Sequence, residues 1–373
     1  MKAVVIAACC AIAVAVAVPA ATSAAKPRLQ RSLDAIVKMP GGPPGIAAIV
    51  ERGDRREFFA AGVAEVGTGR APTARDHLRI ASVSKGFNSL LAVLLERDGA
   101  LRLSDRLGER IPGVLPQAEE VTVRQLLQHT GGVPDYIRSP AFIDWFLADP
   151  TAYIAPRQLT AFVATTPLQF PPGTRYHYSD TDNIAAALIQ ARVSNRPYER
   201  LLATRVFRPL RMRSSSLPRT TRMPRPFLHG YEIEAGERPE DVSEAINPSG
   251  AWASGGIVST LGDLTRFAGF YVPTVLRRTR GIEGGFRPGA SSPPGPGRNS
   301  AGLGIFRYRL SCGTVYGHTG SFPGYRILLA ADADGERSVA FVANAQIVPG
   351  QGSPKVAKAI TRAQKRAVCR ALG

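Results

Sequence analysis

The chain has 373 residues at 39.8 kDa, and its 44% hydrophobic and 20% charged content suits a globular protein with a sizeable core. That excludes a disordered tail, a collagen-like repeat and a disulfide-stapled miniprotein. The net charge is +18, and forty of the 47 basic residues are Arg; such a balance raises nucleic-acid binding first.

The N-terminus argues against that reading. Lys2 opens a short basic region, Ala3 to Val18 is an apolar run of sixteen residues, and Pro19 with the small residues Ala20 to Ala25 comes next. This is the layout of a secretory signal peptide over residues 1–25. Sixteen apolar residues fall short of the roughly 20 that span a bilayer. The expectation is an exported protein, periplasmic or extracellular, with no transmembrane helix after signal removal and no nucleic-acid partner. Cys9 and Cys10 leave with the signal, so the mature chain keeps Cys312 and Cys369. In an oxidising compartment a disulfide between them is one reading, worth roughly 4 kcal/mol on the chain-entropy model. Two buried thiols are the other.

Gly45 to Val50 and Phe58 to Val63 are β-prone runs around Arg52-Gly53-Asp54, which reads as a hairpin. Ser82 to Arg97 is helical, with Phe87, Leu90, Leu91, Leu94 and Leu95 at helical spacing and Asp98-Gly99 as its stop. From Leu107 to His229 strand signals are sparse. Val123 to Gln128, Phe142 to Leu147, Asn183 to Arg192 and Tyr198 to Phe207 read as helical pieces. Strands return at Ile305 to Leu310, Thr314 to Tyr316, Arg326 to Ala331 and Ser338 to Val342, with a turn at Asp332 to Gly335. Gly284 to Gly304 reads as a flexible surface loop. Ser353-Pro354 opens a last helix with Val356, Ile360, Ala363, Ala367 and Val368 on one face. The pattern predicts an α+β fold: a sheet domain over 26–106 and 236–373, interrupted by a mostly helical lobe over 107–235.

Ser82-Val83-Ser84-Lys85 carries the chemistry. Residues three apart share a helix face, which sets the Lys85 amine beside the Ser82 hydroxyl. A serine needs a neighbouring base, and a desolvated lysine can serve as one. Arg79 to Lys85 resembles the nucleophile segment of the serine β-lactamase and penicillin-binding-protein superfamily. Within it, the similarity is to the branch of class C β-lactamases, D-alanyl-D-alanine carboxypeptidases and esterase-like hydrolases. Tyr178-Ser179-Asp180 is similar to that family's Tyr-x-Asn motif, with Asp180 where the pattern has Asn. His318-Thr319-Gly320 resembles its third motif in a His-Thr-Gly form.

The resemblance implies a β-lactamase/transpeptidase-like fold, an antiparallel sheet flanked by helices. It makes Ser82, Lys85 and Tyr178 catalytic and the backbone N–H groups of Ser82 and Ser321 an oxyanion hole. His318, Thr319, Gly320, Asp180 and Trp252 would contact substrate. A second tripeptide, His129-Thr130-Gly131, lacks a strand context and reads as scaffold. The implied activity is that of a secreted serine acyl hydrolase, D-alanyl-D-alanine carboxypeptidase-like. Esterase or β-lactamase activity with the same site is an alternative, and a non-catalytic penicillin-fold binding or sensor protein is another. The substrate would be a D-Ala-D-Ala peptide, an ester or a β-lactam. No cofactor or metal is implied, since no His-x-His or His-x-x-x-His spacing occurs. The Arg excess, still near +17 once Lys2 is lost, reads either as attraction to an anionic cell-envelope surface or as a bias of composition alone.

Overall fold

Alternation of side chains along the strands builds the molecule's two cores. In the strand Tyr325–Ala331, Tyr325, Ile327 and Leu329 join one apolar cluster, while Leu328 and Ala330 join the other. The strand Gly45–Arg52 divides likewise, with Ala47 and Ile49 on one side and Ile46, Ala48 and Val50 on the other. A sheet buried on both faces needs helices on both. The helices Ser84–Arg97 and Leu261–Arg280 cover one face, and Arg28–Ile36 and Pro354–Leu372 cover the other.

This computed structural model describes residues 26–234, 236–288 and 293–373. The signal peptide expected over residues 1–25, with Cys9 and Cys10, lies outside the described residues. Among the described residues, the main sheet has eight antiparallel strands. Their order is Arg55–Gly62, Gly45–Arg52, Arg337–Ala343, Tyr325–Ala331, Gly313–Phe322, Phe306–Leu310, Arg298–Ala301 and Arg287–Pro288. The last two strands correct the reading of Gly284 to Gly304 as a loop. They are short and polar and sit at the sheet's edge, where little apolar alternation is needed.

Two further differences bear on the site. The strand expected at Thr314 to Tyr316 runs on to Phe322 and carries His318 to Ser321. Gly313 to Gly317 pair with Phe306–Leu310, and Tyr316 to Phe322 pair with Tyr325–Ala331, so past Gly317 only the second neighbour remains. The third motif therefore lies on a stretch paired to Tyr325–Ala331 alone. The second difference is the start of the nucleophile helix. Residues Ala81–Val83 form a 3-10 turn and the α-helix begins at Ser84.

Between 107 and 230 the described chain is helical or irregular, its longest helix being Asp180–Ser194. The helix Leu261–Arg280, with Pro273 inside it, has no counterpart among the elements read from the sequence. Cys312, in the turn before Gly313–Phe322, is bridged to Cys369 on the C-terminal helix, with Cα atoms 5.5 Å apart. No helix among the described residues is long and apolar enough to cross a membrane.

Candidate active site

Three elements meet at Ser82. The 3-10 turn presents it, and Ala81 before it adopts a left-handed φ of +50°, a conformation that costs an L-residue energy unless its surroundings enforce it. The enforcing neighbour is the strand carrying Gly320. A Cβ built on Gly320 would lie 2.5 Å from the Ile80 carbonyl oxygen and 3.1 Å from the Ala81 Cβ. The resemblance has Gly320 letting substrate approach the strand. What approaches closely is the nucleophile turn itself, although Gly320 also lines the cleft.

Lys85 is fully buried on the first turn of the following helix. Its Nζ donates to Ser82 Oγ at 3.2 Å, to Asp180 Oδ1 at 2.5 Å and to the Ser254 carbonyl at 2.9 Å. A carboxylate and a carbonyl can only accept, so Asp180 and Ser254 hold two N–H positions of the amine. The third position faces Ser82. It carries an N–H in the ammonium and a lone pair in the free amine, so it is the one place where a proton can pass between Ser82 and Lys85. Asp180 thus partners Lys85 while also lining the cleft.

Tyr178 lies just ahead of the helix Asp180–Ser194, its ring 4.8 Å from Lys85 Nζ. The phenol oxygen is buried without a hydrogen-bond partner. Burial pushes its pKa well above the usual range, and the Asp180 charge adds to this, while the nearby Ser82 hydroxyl opposes it.

His318 departs from its expected role. It is fully buried and absent from the cleft lining, with its Nδ1 2.5 Å from the Thr319 carbonyl oxygen. Burial, reinforced by the Lys85 charge, pushes its pKa down to about 3. A buried neutral imidazole offers no cation to a substrate carboxylate. Thr319 and Ser321 do line the cleft. The Thr319 hydroxyl donates to the Pro294 carbonyl at 3.2 Å, and Ser321 Oγ accepts from Gln346 at 2.9 Å.

Trp252 also departs. Its indole is buried against Tyr198, with centroids 5.0 Å apart, and its N–H donates to Glu199 Oε1 at 3.1 Å. A tryptophan satisfies its single donor before anything else when buried, and this one does so away from the cleft. The same segment reaches the site through the Ser254 carbonyl instead.

Sequence reasoning missed Asp135. It is buried, lines the cleft, and accepts the Asp180 backbone N–H at 3.0 Å. Burial and the neighbouring Asp180 charge raise its pKa to about 7. Its only local signal is a carboxylate in Gly132-Val133-Pro134-Asp135, directly after the tripeptide read as scaffold. The cleft onto which Ser82, Tyr178, Asp180, Thr319 and Ser321 open has a volume of about 400 Å³. Among the described residues, no three His, Cys, Asp or Glu side chains are grouped as metal ligands.

Comparison with known proteins places this geometry in context. A family model described as Beta-lactamase matches residues 33–360. Penicillin-binding protein 4* of Bacillus subtilis (strain 168) is 26% identical over 318 residues, which are 80% of this chain and 68% of that protein. A D-aminopeptidase of Cereibacter sphaeroides is 28% identical over 85% of this chain, which spans only 59% of that relative's length. A D-stereospecific amidohydrolase from Streptomyces sp. superposes with a TM-score of 0.74 at 29% identity, covering 90% of this chain and 97% of the other.

Proposed function

The chain belongs to the beta-lactamase family of serine hydrolases, and from that premise we propose that it hydrolyses amide or peptide bonds of D-amino-acid substrates through an acyl-enzyme on Ser82. One observation carries the reading: Lys85 has two of its three positions fixed by Asp180 and Ser254 and the third turned to Ser82. In the amine form Lys85 takes the Ser82 proton as Oγ attacks the substrate carbonyl carbon. The backbone N–H groups of Ser82 and Ser321 hold the resulting oxyanion. Tyr178, within the reach of Lys85, passes the proton to the leaving nitrogen as the C–N bond breaks. Water then hydrolyses the ester and Ser82 is regenerated.

The names of the relatives support D-configured amides and peptides as the substrate class. The buried, neutral His318 weakens the narrower carboxypeptidase expectation, which needs an anchor for a C-terminal carboxylate. Esters and β-lactams fit the same nucleophile and remain the second reading. Covalent labelling of Ser82 by a fluorescent penicillin or a fluorophosphonate, lost in Ser82→Ala, is the expected result. Equal labelling of both proteins would eliminate the mechanism. Turnover of a D-Ala-D-Ala peptide, a D-amino-acid amide, a p-nitrophenyl ester and nitrocefin then ranks the substrate classes.

For location, the N-terminal export layout and the +18 charge support an exported protein held by anionic envelope material. Retention on purified envelopes should fall with added salt, and salt-independent retention would count against it.

A further inference from the structure

Ser82 stands between two cavities of unlike chemistry. The larger carries Tyr178, Thr319 and His177. The smaller, of about 220 Å³, shares Ser82, Ile137, Asp180 and Ser321 with it, and its remaining wall is mainly apolar, with Phe142, Trp145, Phe146, Ile246 and Phe322 beside the polar Asn247. Its three aromatic residues on Pro140–Ala148 pack around Phe142, which lies 5.7 Å from Trp145 and 6.1 Å from Phe146 between ring centroids. Tyr136 closes on Phe142 edge-on at 4.9 Å, and its hydroxyl donates to the Gly250 carbonyl at 2.6 Å. Tyr136 and Gly250, both lining residues, thus tie two sides of the wall together, which holds the cavity's shape.

Proton delivery decides which half of the substrate this cavity receives. The leaving nitrogen must depart toward the phenol that protonates it, and Tyr178 lines only the larger cavity. The acyl half then lies on the other side of Ser82. We propose that the smaller cavity is the acyl-side pocket and that it selects substrates whose acyl group carries a bulky apolar side chain, aromatic above all. This rests on the acyl-enzyme reading above and narrows its substrate class. A methyl group, as in D-alanine, would leave most of the apolar wall uncovered. An apolar cavity of about 150 Å³ already accommodates benzene, and a phenyl ring suits this one. Each methylene gained in such a pocket is worth about 10–200-fold in specificity.

Gly250 provides the means of closing it. A Cβ built there meets only Trp145 Cζ3, at 4.0 Å, and its φ is not in the left-handed region, so a side chain would project across the pocket without backbone strain.

The test compares D-phenylalanine p-nitroanilide with D-alanine p-nitroanilide, which share a leaving group. In the wild-type protein, kcat/KM for the phenylalanyl substrate should be higher by about a hundredfold or more. Gly250→Leu should cut that ratio at least about tenfold, and Trp145→Ala should move the preference toward a naphthylalanyl group. Fluorophosphonate labelling of Ser82 reports folding of each variant. Equal turnover of the two anilides by a labelled wild-type protein would overturn the pocket assignment and leave the acyl-enzyme reading intact. A preference that tracks bulk in the leaving group would overturn it too. Failure of every probe to acylate Ser82 would remove both.

Discussion

His129-Thr130-Gly131 and His318-Thr319-Gly320 are one tripeptide in two backbones, and both bring an imidazole to the same phenol. His129 ends a short helix with φ +55° and lies 4.5 Å from the Tyr178 ring, while His318 sits in a strand 6.3 Å from it. Burial and the Lys85 charge lower the pKa of both, so neither is a cation at neutral pH. The difference lies in the Thr-Gly pair after each histidine. Thr319 and Gly320 run along an open strand edge and line the cleft, whereas a Cβ on Gly131 would lie 2.8 Å from Val121 Cγ1. The imidazoles wall the phenol in both cases; only the strand version also presents backbone to a substrate.

The largest effect should come from the phenol they share. Tyr178→Phe keeps the ring between the imidazoles and removes a hydroxyl that has no hydrogen-bond partner. Activity should fall about 10²–10⁴-fold, the usual worth of a positioned proton donor. Stability should change by less than about 1 kcal/mol, since the contact with the Ser82 hydroxyl is all that is lost. Kinetics and urea unfolding on one preparation separate the two, and an active Tyr178→Phe enzyme would leave Lys85 as the sole proton carrier.

The glycines sharpen the contrast at a smaller scale. Gly320→Ala should push the Ile80–Ala81 turn, and with it Ser82, off its position; a displacement near 1 Å costs about 10²-fold in rate. Gly131→Ala should instead cost about 1–3 kcal/mol of stability through overpacking, with kcat held within a few-fold. Equal losses of activity in the two variants would mean that both tripeptides serve the substrate.

The same contrast explains what the sequence disclosed. The role of Tyr178 came only with the family motif it resembles, whereas Ser82 and Lys85 are three residues apart, so their juxtaposition was legible from local spacing. The apolar runs that become the sheet's central strands were legible for the same reason. Asp135 was not, because its importance comes from Asp180, 45 positions away, through a backbone N–H that no pattern records. For Trp252 and His318 a motif names the residue but not its rotamer: the Trp252 indole turns to Glu199, 53 positions away, and the His318 imidazole to the carbonyl of the next residue. The acyl-side pocket combines segments from Ala81 to Pro323, too dispersed to leave a signature.

The smallest effect is a slope, and it distinguishes the two histidines by their companions. His318 is neutral when folded, with its pKa pushed to about 3, and ordinary when unfolded, near 6.5. Between those values the unfolded chain binds a proton that the folded chain refuses. Stability from this site is therefore present above 6.5 and lost as pH falls toward 3, by at most about 1.4 kcal/mol per pH unit. His129 has the same sign, but its Nδ1 lies 3.0 Å from Asp182 Oδ2, and burial raises the Asp182 pKa well above 3.8. Burial favours the uncharged form of both groups, so the proton the imidazole gives up on folding is opposed by one the carboxyl takes up, and the two contributions act against each other. His318→Asn should accordingly make the stability-against-pH curve, from urea midpoints between pH 4 and 6.5, less steeply rising than in the wild-type protein. The double variant His129→Asn, Asp182→Asn should change that slope less than His318→Asn does, while lowering stability throughout. A slope altered equally by both variants would mean that Asp182 is ionised beside a neutral His129, so that the folded pair holds no proton.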